Sequence, residues 1–520
     1  MEMQASQSHT GAAGWGCVCH SPAFLRLNAR LGGLLNETPD PLIEPSFEPS
    51  FADFLPASAS HHALPGSSSF ASAAAASGTS ASAPQPGASA SSHQQQPPVA
   101  FTNIRLFDGK SKTLKSGLRV IVTGNKISAV EPDDGQKLDG MQVMDGSGHT
   151  LMPGLIDAHA HIMMASLSMQ QLMVADIGFV NLAAASEAER MLMRGFTSIR
   201  DMAGPSFSLK KAIDIGMVPG PRIWPSGAMI SQTSGHGDFR MPYEIPSHAG
   251  QPLSRGEVLG AGAIADGTSE ILKRAREQLM LGASQLKLAA GGGVASSYDP
   301  LDVSQYTEAE FRAAVDAAEN WGTYVAVHAY MPRAIATAVR GGVRCIEHGQ
   351  LMDENTAKLL ADEGIWISLQ PFLDDEDAIF FPAGSPSRLK QIEMSNGTDT
   401  AYALAKKHGL KTAWGTDTLF DAKLATRQGA QLAKMTRWYE AADVLTMATS
   451  TNAELLALAG PRNPYPGKLG VIEPGALADM LVVRGDPLAN IQLLADPGSH
   501  LAVIMKDGRI FKNTLGVAFN

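Results

Sequence analysis

The feature that most constrains the fold is a regular alternation of short apolar segments with amphipathic segments over residues 153–460. The apolar segments have the length and composition of buried strands, and they cover residues 155–161, 196–201, 222–227, 285–292, 323–329, 345–349, 366–371 and 411–417. Stretches such as EAEFRAAVDAAENWG and PRAIATAVRGG lie between them and have helical spacing. Eight strands joined by helical crossovers predict an α/β fold, a parallel (β/α)8 TIM barrel.

The segments on both sides of this region have a different texture. VAFTNIRLFDG, LRVIVTGNKISAVEP and MQVMDGSGHTLMPG precede it, and ADMLVVRGDP and LAVIMKDGRIFKN follow it. Each alternates apolar and polar residues between Gly and Asp turns, which predicts short antiparallel strands and a small β-sandwich built from both ends. We therefore divide the ordered chain into a first sandwich part (99–152), the barrel (153–466), and a second sandwich part with the C-terminal tail (467–520).

Residues 1–98 are predicted to be an N-terminal extension that ends in a low-complexity linker. The Ala/Ser/Pro/Gln-rich tract from about residue 57 to 98 cannot bury enough apolar surface to offset its ordering entropy. Residues 24–35 have helical spacing and can dock on the body or on another subunit. Cys17, Cys19 and His20 suggest either a metal knuckle or free thiols, and the lack of a second ligand pair at zinc spacing favours free thiols.

Charge and composition exclude several classes of partner. The net charge of -10 argues against nucleic acid and anionic membranes, because both need a basic face. No run of eighteen apolar residues is present, so we expect no membrane span. The N-terminal residues lack the pattern of a secretory signal, and three cysteines do not form a disulfide framework. We therefore expect a cytoplasmic protein.

The chemistry of the chain is concentrated at the predicted strand ends, where barrel enzymes carry their active sites. Four histidines, one lysine and one aspartate lie there: His159, His161, Lys287, His328, His348 and Asp417. The first two are separated by one residue, so both imidazoles face the same side of their strand. Each residue alone has a structural explanation, but the joint pattern on separate strands predicts a metal centre. Arg200 and Asp201 end the second strand, where we expect an internal ion pair.

Five segments resemble the signature segments of the binuclear amidohydrolase superfamily: PGLIDAHAH, KLAAGGG, VHAY, IEHG and WGTD. The resemblance extends over residues 99–515. Within the superfamily, SQTSGHGDF (231–239) and GGGVASSYDP (291–300) are most similar to one branch. That branch holds imidazolonepropionase-like amidohydrolases, Xaa-Pro dipeptidases and related carboxypeptidases, and fungal ochratoxinase.

The resemblance implies two divalent ions. His159, His161 and Asp417 match the ligands of the more buried ion, and His328 and His348 match those of the second. Ligation by histidines and carboxylates suits zinc, with cobalt, manganese and iron as alternatives. The resemblance also implies that a metal-bridging hydroxide attacks the substrate carbonyl, with Asp417 acting first as general base and then as general acid.

Lys287 matches the bridging lysine of the family, which is carboxylated on its side-chain nitrogen. An ammonium has no lone pair, and two nearby dications would repel it. Carbon dioxide converts the neutral amine into an anionic carbamate, whose two oxygens can bridge two metals. An unmodified Lys287 would instead favour a single ion.

Substrate recognition is assigned to three residues near these ligands. His236 lies in a long Gly-rich loop after the third strand, Tyr298 follows the fourth strand, and Tyr330 lies two residues after His328. In the resembling dipeptidases these segments bind a substrate carboxylate, a task that suits Tyr and His donors. The alternative is that Tyr330 packs under a helix and that His236 caps a loop.

Three functions remain open at this point. The first is hydrolysis of the amide bond in an N-acyl amino acid or dipeptide-like small molecule, as a carboxypeptidase or dipeptidase, with ochratoxin A among the substrates. The second is a mononuclear deaminase or a cyclic-amide hydrolase, against which Lys287 argues. The third is an inactive assembly protein, against which the full ligand set argues. The resemblance also implies a homo-oligomer, with an octamer as one option.

Overall fold

A computed structural model of the chain describes residues 97–245, 250–516 and 518–519. The predicted N-terminal extension, including Cys17, Cys19, His20 and residues 24–35, lies outside the described residues. The division of the chain into an extension, a barrel and two sandwich parts stays a prediction.

The first five strands precede the barrel. They are β1 (Val99–Leu106), β2 (Lys115–Thr123), β3 (Lys126–Pro132), β4 (Gln142–Asp145) and β5 (Thr150–Pro153). The next ten strands lie in the predicted barrel region. They are β6 (Leu155–Ala160), β7 (Phe196–Asp201), β8 (Arg222–Pro225), β9 (Met229–Ser231), β10 (Gly262–Ile264), β11 (Leu286–Ala289), β12 (Val325–Ala329), β13 (Cys345–His348), β14 (Trp366–Leu369) and β15 (Lys411–Trp414). The last four are β16 (Met480–Val483), β17 (Leu501–Lys506), β18 (Arg509–Asn513) and β19 (Ala518–Phe519).

Both ends of the described part of the chain contribute to one folded sheet. Its strand order is β18-β17-β16-β5-β1-β2-β3, and β4 pairs with β1 and β19. Strand β1 pairs in parallel with β4 along its first half and with β5 along its second half. The apolar faces enclose a core that mixes N-terminal side chains such as Phe101 and Val120 with C-terminal ones such as Met480 and Val503. This arrangement confirms the predicted β-sandwich.

Eight parallel strands form the barrel, at the eight predicted places. Strands β6, β7 and β8 pair in that order, and so do β11, β12, β13, β14 and β15. The short strand β9 pairs with β11 on one edge and with β10 on the other. Nearly all residues of these strands are buried, as expected for strands that are covered on both faces. The structure therefore confirms the predicted (β/α)8 barrel.

The first and last barrel strands are joined mainly through side chains. The Nδ2 atom of Asn452 donates to the carbonyls of Ile156 and Trp414 at 2.7 and 2.8 Å. The backbone N–H of Asp417 donates to the carbonyl of His159 at 2.7 Å. A Cβ at Gly415 would lie 2.4 Å from the His159 nitrogen, so only glycine allows this approach. Two predicted ligand segments are thus held side by side.

Helices follow most of the barrel strands. They are α1 (Met169–Val174), α2 (Ile177–Met193), α3 (Phe207–Asp214), α4 (Arg255–Val258), α5 (Gly267–Leu281), α6 (Glu308–Asn320), α7 (Pro332–Arg340), α8 (Glu354–Asp362), α9 (Pro386–Lys407), α10 (Ala422–Ala425), α11 (Gln428–Lys434), α12 (Ala441–Thr446), α13 (Asn452–Ala457) and α14 (Pro497–His500). Helix α6 shows how the local sequence forms such a helix. Thr307 and Glu310 form a capping box at its start, and its apolar face is buried on the barrel.

In the part of the chain that the structure describes, no helix is both long enough and apolar enough to cross a membrane.

Candidate metal centre

Two histidines at the end of β6 face one aspartate that follows β15. The Nε2 atoms of His159 and His161 lie 3.3 and 2.9 Å from Oδ1 of Asp417. Among the described residues, one potential ligand atom from each of these three side chains lies within 4.8 Å of the others. Two imidazole nitrogens and a carboxylate oxygen are ligands that divalent transition metals prefer, so this group can hold one ion.

The hydrogen bonding of His159 fits a metal ligand. Its Nδ1 atom lies 2.8 Å from Oε2 of Glu347, whereas its buried Nε2 atom has no hydrogen-bond partner among the described residues. Metal-ligating histidines typically use one ring nitrogen for the metal and the other for a carboxylate or carbonyl. The unpartnered Nε2, directed at Asp417, is therefore what a metal site requires.

Glu347 is itself fixed by a buried guanidinium. Nη2 of Arg200 lies 2.7 and 2.8 Å from the two carboxylate oxygens of Glu347, and Nη1 donates to the hydroxyl of Tyr324 at 3.1 Å. Burial alone would raise the pKa of Glu347, but the Arg200 charge and the His159 contact hold it well below its usual range. Glu347 thus stays ionised and orients the His159 ring.

The predicted internal ion pair therefore exists for Arg200, but its partner is Glu347. An Arg200–Asp201 pair is wrong, because successive strand residues point to opposite faces of the sheet. Asp201 instead accepts hydrogen bonds from the Ser206 hydroxyl at 2.7 Å and from the Ile162 backbone N–H at 2.9 Å.

The other two predicted histidine ligands lie next to this group. The ring centre of His348 lies 4.9 Å from that of His159 and 4.4 Å from that of His328. The Nδ1 atom of His348 contacts Oε1 of Gln370 at 2.7 Å, and Nε2 of His328 lies 3.1 Å from the Gly292 carbonyl. Each ring thus has one nitrogen held by the protein, which leaves the other for a metal.

Lys287 on β11 is buried and lines the same cavity as the histidines and Asp417. Burial lowers its pKa from the ordinary 10.5 to about 8. Burial also lowers the pKa of His159 to about 4, and the nearby Lys287 charge adds to that shift. The structure thus brings all six residues predicted as ligands around one cavity.

Two of these residues have unusual backbone geometry. His348 and Asp417 have φ angles of 81° and 50°, in the left-handed region that non-glycine residues rarely occupy. Such conformations cost about 1–3 kcal/mol each and cluster at functional sites.

The surroundings of Asp417 also affect its charge. Burial would raise the pKa of its carboxyl, but His159, His161 and His348 hold it well below the usual range.

Of the three residues predicted to bind substrate, His236 and Tyr330 line the cavity. The His236 ring stacks on that of His328 at 3.9 Å between centres, and the Tyr330 ring stands edge-on to His328 at 4.8 Å. Nδ1 of His236 lies 2.8 Å from the Ser296 hydroxyl. A Cβ at Gly293 would lie 2.0 Å from the same ring, so a side chain there would displace His236.

Tyr298 is placed differently. Its hydroxyl donates to the backbone carbonyl of Arg240 at 2.6 Å, and it is absent from the described residues that line the cavity. In this geometry Tyr298 holds the loop that follows His236 through this hydrogen bond. The structure therefore does not support a direct contact of Tyr298 with substrate.

The remaining wall of the cavity is mainly apolar. The cavity has a volume of about 120 Å³. Its apolar lining comes from loops after several barrel strands and from helix α9, and it includes Met164, Phe239, Val294, Phe372, Ile379, Phe381, Met394 and Phe420. A polar, ligand-bearing floor under an apolar wall is typical of a site that binds a small organic molecule.

Comparison with known proteins agrees with this geometry. The model of the Amidohydrolase family matches residues 150–510, more than half of the chain. The chain belongs to the amidohydrolase family. Amidohydrolases are metal-dependent, and the His159–His161–Asp417 group can bind a metal. The chain is thus a hydrolase that acts on C–N bonds, and its general reaction is hydrolysis of amide or peptide bonds.

Individual amidohydrolases are similar over most of the chain. Ochratoxinase from Aspergillus niger is 30% identical over 386 residues, which cover 70% of this chain and 75% of that protein. An amidohydrolase of known crystal structure has 37% sequence identity to this chain and a TM-score of 0.73. The match covers 81% of this chain and 100% of that one. A prolidase complexed with N-methylphosphonate-L-proline is 33% identical with a TM-score of 0.73, covering 80% of this chain and 100% of that one.

Sequence reasoning missed Glu347 and Gln370, which orient two of the histidines. The signal for Glu347 was present, because a charged residue inside the short apolar strand CIEHG needs a buried partner. Gln370 follows β14 directly and carries no comparable signal, since neutral amides commonly end strands.

Proposed function

We propose that this amidohydrolase binds two divalent ions, zinc in the first instance, and hydrolyses the amide bond of an N-acyl amino acid or dipeptide-like substrate. The observation that supports this most is the burial of Lys287 in the same cavity as four histidines and Asp417. Among the described residues Lys287 makes no hydrogen bond or ion pair, and the charges of Glu347 and Asp417 act on it only from a greater distance. A carbamate on its nitrogen would supply the bridging anion that two ions need.

The environment of Lys287 favours that modification. Its lowered pKa, about 8, gives an appreciable neutral fraction near neutral pH, and only the neutral amine has the lone pair that attacks carbon dioxide. The carbamate would help to hold two ions, for one of which His159, His161 and Asp417 would be the further ligands and for the other His328 and His348.

Bound divalent ions lower the pKa of water towards about 7 and polarise a carbonyl oxygen, which is the chemistry they supply here. The chain contributes the proton transfers. The Asp417 carboxylate lies at the floor of the cavity, where it accepts a proton from the attacking water and then delivers it to the leaving nitrogen. Its low pKa keeps the carboxylate ionised.

His236 and Tyr330 are proposed to bind the carboxylate of the substrate's amino-acid part. Both line the cavity beside His328, and both can donate hydrogen bonds to an anion. The apolar wall would take the rest of the substrate. Similarity to ochratoxinase and to a prolidase complexed with N-methylphosphonate-L-proline supports substrates in this class, with ochratoxin A among them.

The proposal is tested by screening the zinc-loaded full chain against N-acyl amino acids, Xaa-Pro dipeptides and ochratoxin A, with metal analysis of the same sample. We expect hydrolysis of at least one class and two ions per chain, and the Asp417→Asn variant, purified identically, controls for contaminating hydrolases. One ion per chain together with deaminase or cyclic-amide hydrolase activity would contradict the proposal and support the second candidate function. Failure to retain any metal would instead favour an inactive assembly protein.

A further inference from the structure

A second, smaller chamber adjoins the catalytic cavity on the side of helices α1 and α2. It has a volume of about 30 Å³. Four apolar residues line both spaces and form the boundary between them: Met164, Phe239, Ala261 and Phe420. The side chains that the two spaces share are all apolar, so an apolar chain that passes from the catalytic cavity into the chamber would meet no polar side chain at this boundary.

Apolar side chains make up nearly all of the chamber lining. Helices α1 and α2 contribute Leu172, Ile177 and Val180, and none of the described residues that line it is charged. Asn181 is its polar member, but its Nδ2 atom donates to the Ile177 carbonyl of its own helix at 2.8 Å. A water molecule there would lack the roughly two to four polar partners that buried waters need, so the chamber suits an apolar occupant.

The lining also adapts to shape. Four methionines border the chamber, Met163, Met164, Met169 and Met173. Methionine is unbranched, polarisable and able to fill irregular gaps. Its flexible side chains can move apart to admit a chain that is larger than the space between them.

The boundary is fixed to the candidate metal centre through the backbone. The N–H of Met164 donates to the carbonyl of His161 at 2.9 Å, and the N–H of Phe420 donates to the carbonyl of Met164 at 3.0 Å. Phe420 lies three residues after Asp417. The entrance of the chamber is therefore held at a set position relative to two residues predicted to bind the same ion.

The position of the chamber indicates which half of the substrate it would take. It lies against the segments that follow β6, β7, β9 and β15, whereas Tyr330 and the His236 ring lie against His328 at the end of β12. With the amino-acid carboxylate at His236 and Tyr330, the acyl side of the amide points away from them.

We propose that this chamber is an acyl-chain subsite, which binds an alkyl chain or ring on the acyl side of the substrate. The inference rests on the proposed function. It adds that the enzyme prefers N-acyl amino acids with medium-length apolar acyl groups over N-acetyl ones.

The test measures kcat/KM of the zinc-loaded full chain for N-acetyl, N-butanoyl, N-hexanoyl and N-octanoyl forms of one amino acid. Each buried methylene contributes about fourfold, so we expect kcat/KM of the wild type to rise with chain length until the chamber is filled. Val180→Phe fills the chamber and should remove the rise while leaving the N-acetyl value within about twofold.

Two further variants separate filling from misfolding. Ile177 lines the chamber but is 44% exposed, so Ile177→Trp fills it from the outside at little risk to the fold. Leu182 lies on the same helix and is 72% exposed, so Leu182→Trp is the matched control. We expect Ile177→Trp to flatten the chain-length series and Leu182→Trp to leave it unchanged. A series that is flat in the wild type, or equally steep in all variants, would overturn the subsite.

A binding measurement keeps the subsite testable if the proposed function fails. Calorimetric titration with hexan-1-ol and ethanol needs no hydrolysis. We expect the wild type and Leu182→Trp to bind hexan-1-ol more tightly than ethanol, and Val180→Phe and Ile177→Trp to lose that preference. If no N-acyl amino acid is hydrolysed but this pattern is observed, the proposed function fails and the apolar chamber stands. An unchanged preference in the filled variants would refute the chamber itself.

Discussion

The Nδ1 atom of His159 lies 2.8 Å from Oε2 of Glu347, and neither side chain is exposed to solvent. This contact fixes which ring nitrogen of His159 faces Asp417, since the other nitrogen is occupied by the carboxylate. Because Arg200 keeps Glu347 ionised, the contact also makes the imidazole a better electron donor to a metal.

Replacing Glu347 should therefore weaken metal binding without removing a ligand. Substituting Glu347→Gln keeps the shape but loses the charge, and we expect metal affinity to fall by roughly 10- to 100-fold. Competition with a chromophoric chelator measures the loss. Glu354→Gln, which changes an exposed carboxylate paired with Lys407 and His408, is the control and should bind metal normally. Equal affinity in both variants would show that Glu347 serves only the packing of Arg200.

Asp417 should separate catalysis from folding. In Asp417→Asn one oxygen remains, but the group can no longer accept a proton, so kcat should fall by about 10²- to 10⁴-fold. Thermal denaturation should give a Tm near that of the wild type. Full activity in the purified, metal-loaded variant would refute the assignment of Asp417 as general base and acid.

Lys287 should control the number of bound ions. The Lys287→Met variant has a side chain of similar length but cannot carry a carbamate, so we expect it to lose one of the two ions. Elemental analysis of the purified variant measures this. Lys506→Met is the matched control, because Lys506 is also buried with a pKa lowered to about 8 but lies outside the cavity lining. Two ions in Lys287→Met would contradict a bridging role.

Reconstitution of the metal-free chain should depend on pH in one direction. With a pKa of about 8, Lys287 is mainly an ammonium below that pH and mainly a neutral amine above it. Only the amine reacts with carbon dioxide, so at a fixed concentration of dissolved carbon dioxide the two-metal form should be recovered more slowly at about pH 7 than at about pH 9. Carbon-13-labelled bicarbonate should yield a carbamate signal in the wild type that Lys287→Met lacks. The reverse pH dependence would exclude this step.

Lys390 should position the loop that carries Ser296, the residue that contacts His236. Its Nζ atom donates to the carbonyls of Gly293, Ser296 and Asp299 at 2.5, 2.8 and 3.1 Å. Ser296 in turn contacts His236, so loss of the ammonium should loosen His236.

We expect Lys390→Met to lower kcat/KM on the order of 10- to 100-fold through misplacement of the substrate, with most of the change in KM. Lys407→Met, on the same helix and paired with exposed Glu354, is the control and should behave as wild type. Metal content should be normal in both variants. A change in kcat alone would contradict a role in substrate positioning.

The sequence by itself determined the barrel, the sandwich and the six candidate metal ligands that line the cavity. Hydrophobic periodicity located the eight barrel strands, because buried parallel strands must be apolar along their length. Once those strands were placed, His159, Lys287, His328, His348 and Asp417 had to share one rim, since the C-terminal ends of parallel strands meet at the same face of a barrel.

Only the tertiary structure decided the partners of those residues. The pairing of Arg200 with Glu347, the contact of Gln370 with His348 and the bond from Tyr298 to the Arg240 carbonyl each join segments that are distant in sequence. The direction of a side chain at a strand end or in a loop depends on what packs against it. Periodicity carries no information on that packing, so the apolar chamber beside Met164 could also be found only from the folded chain.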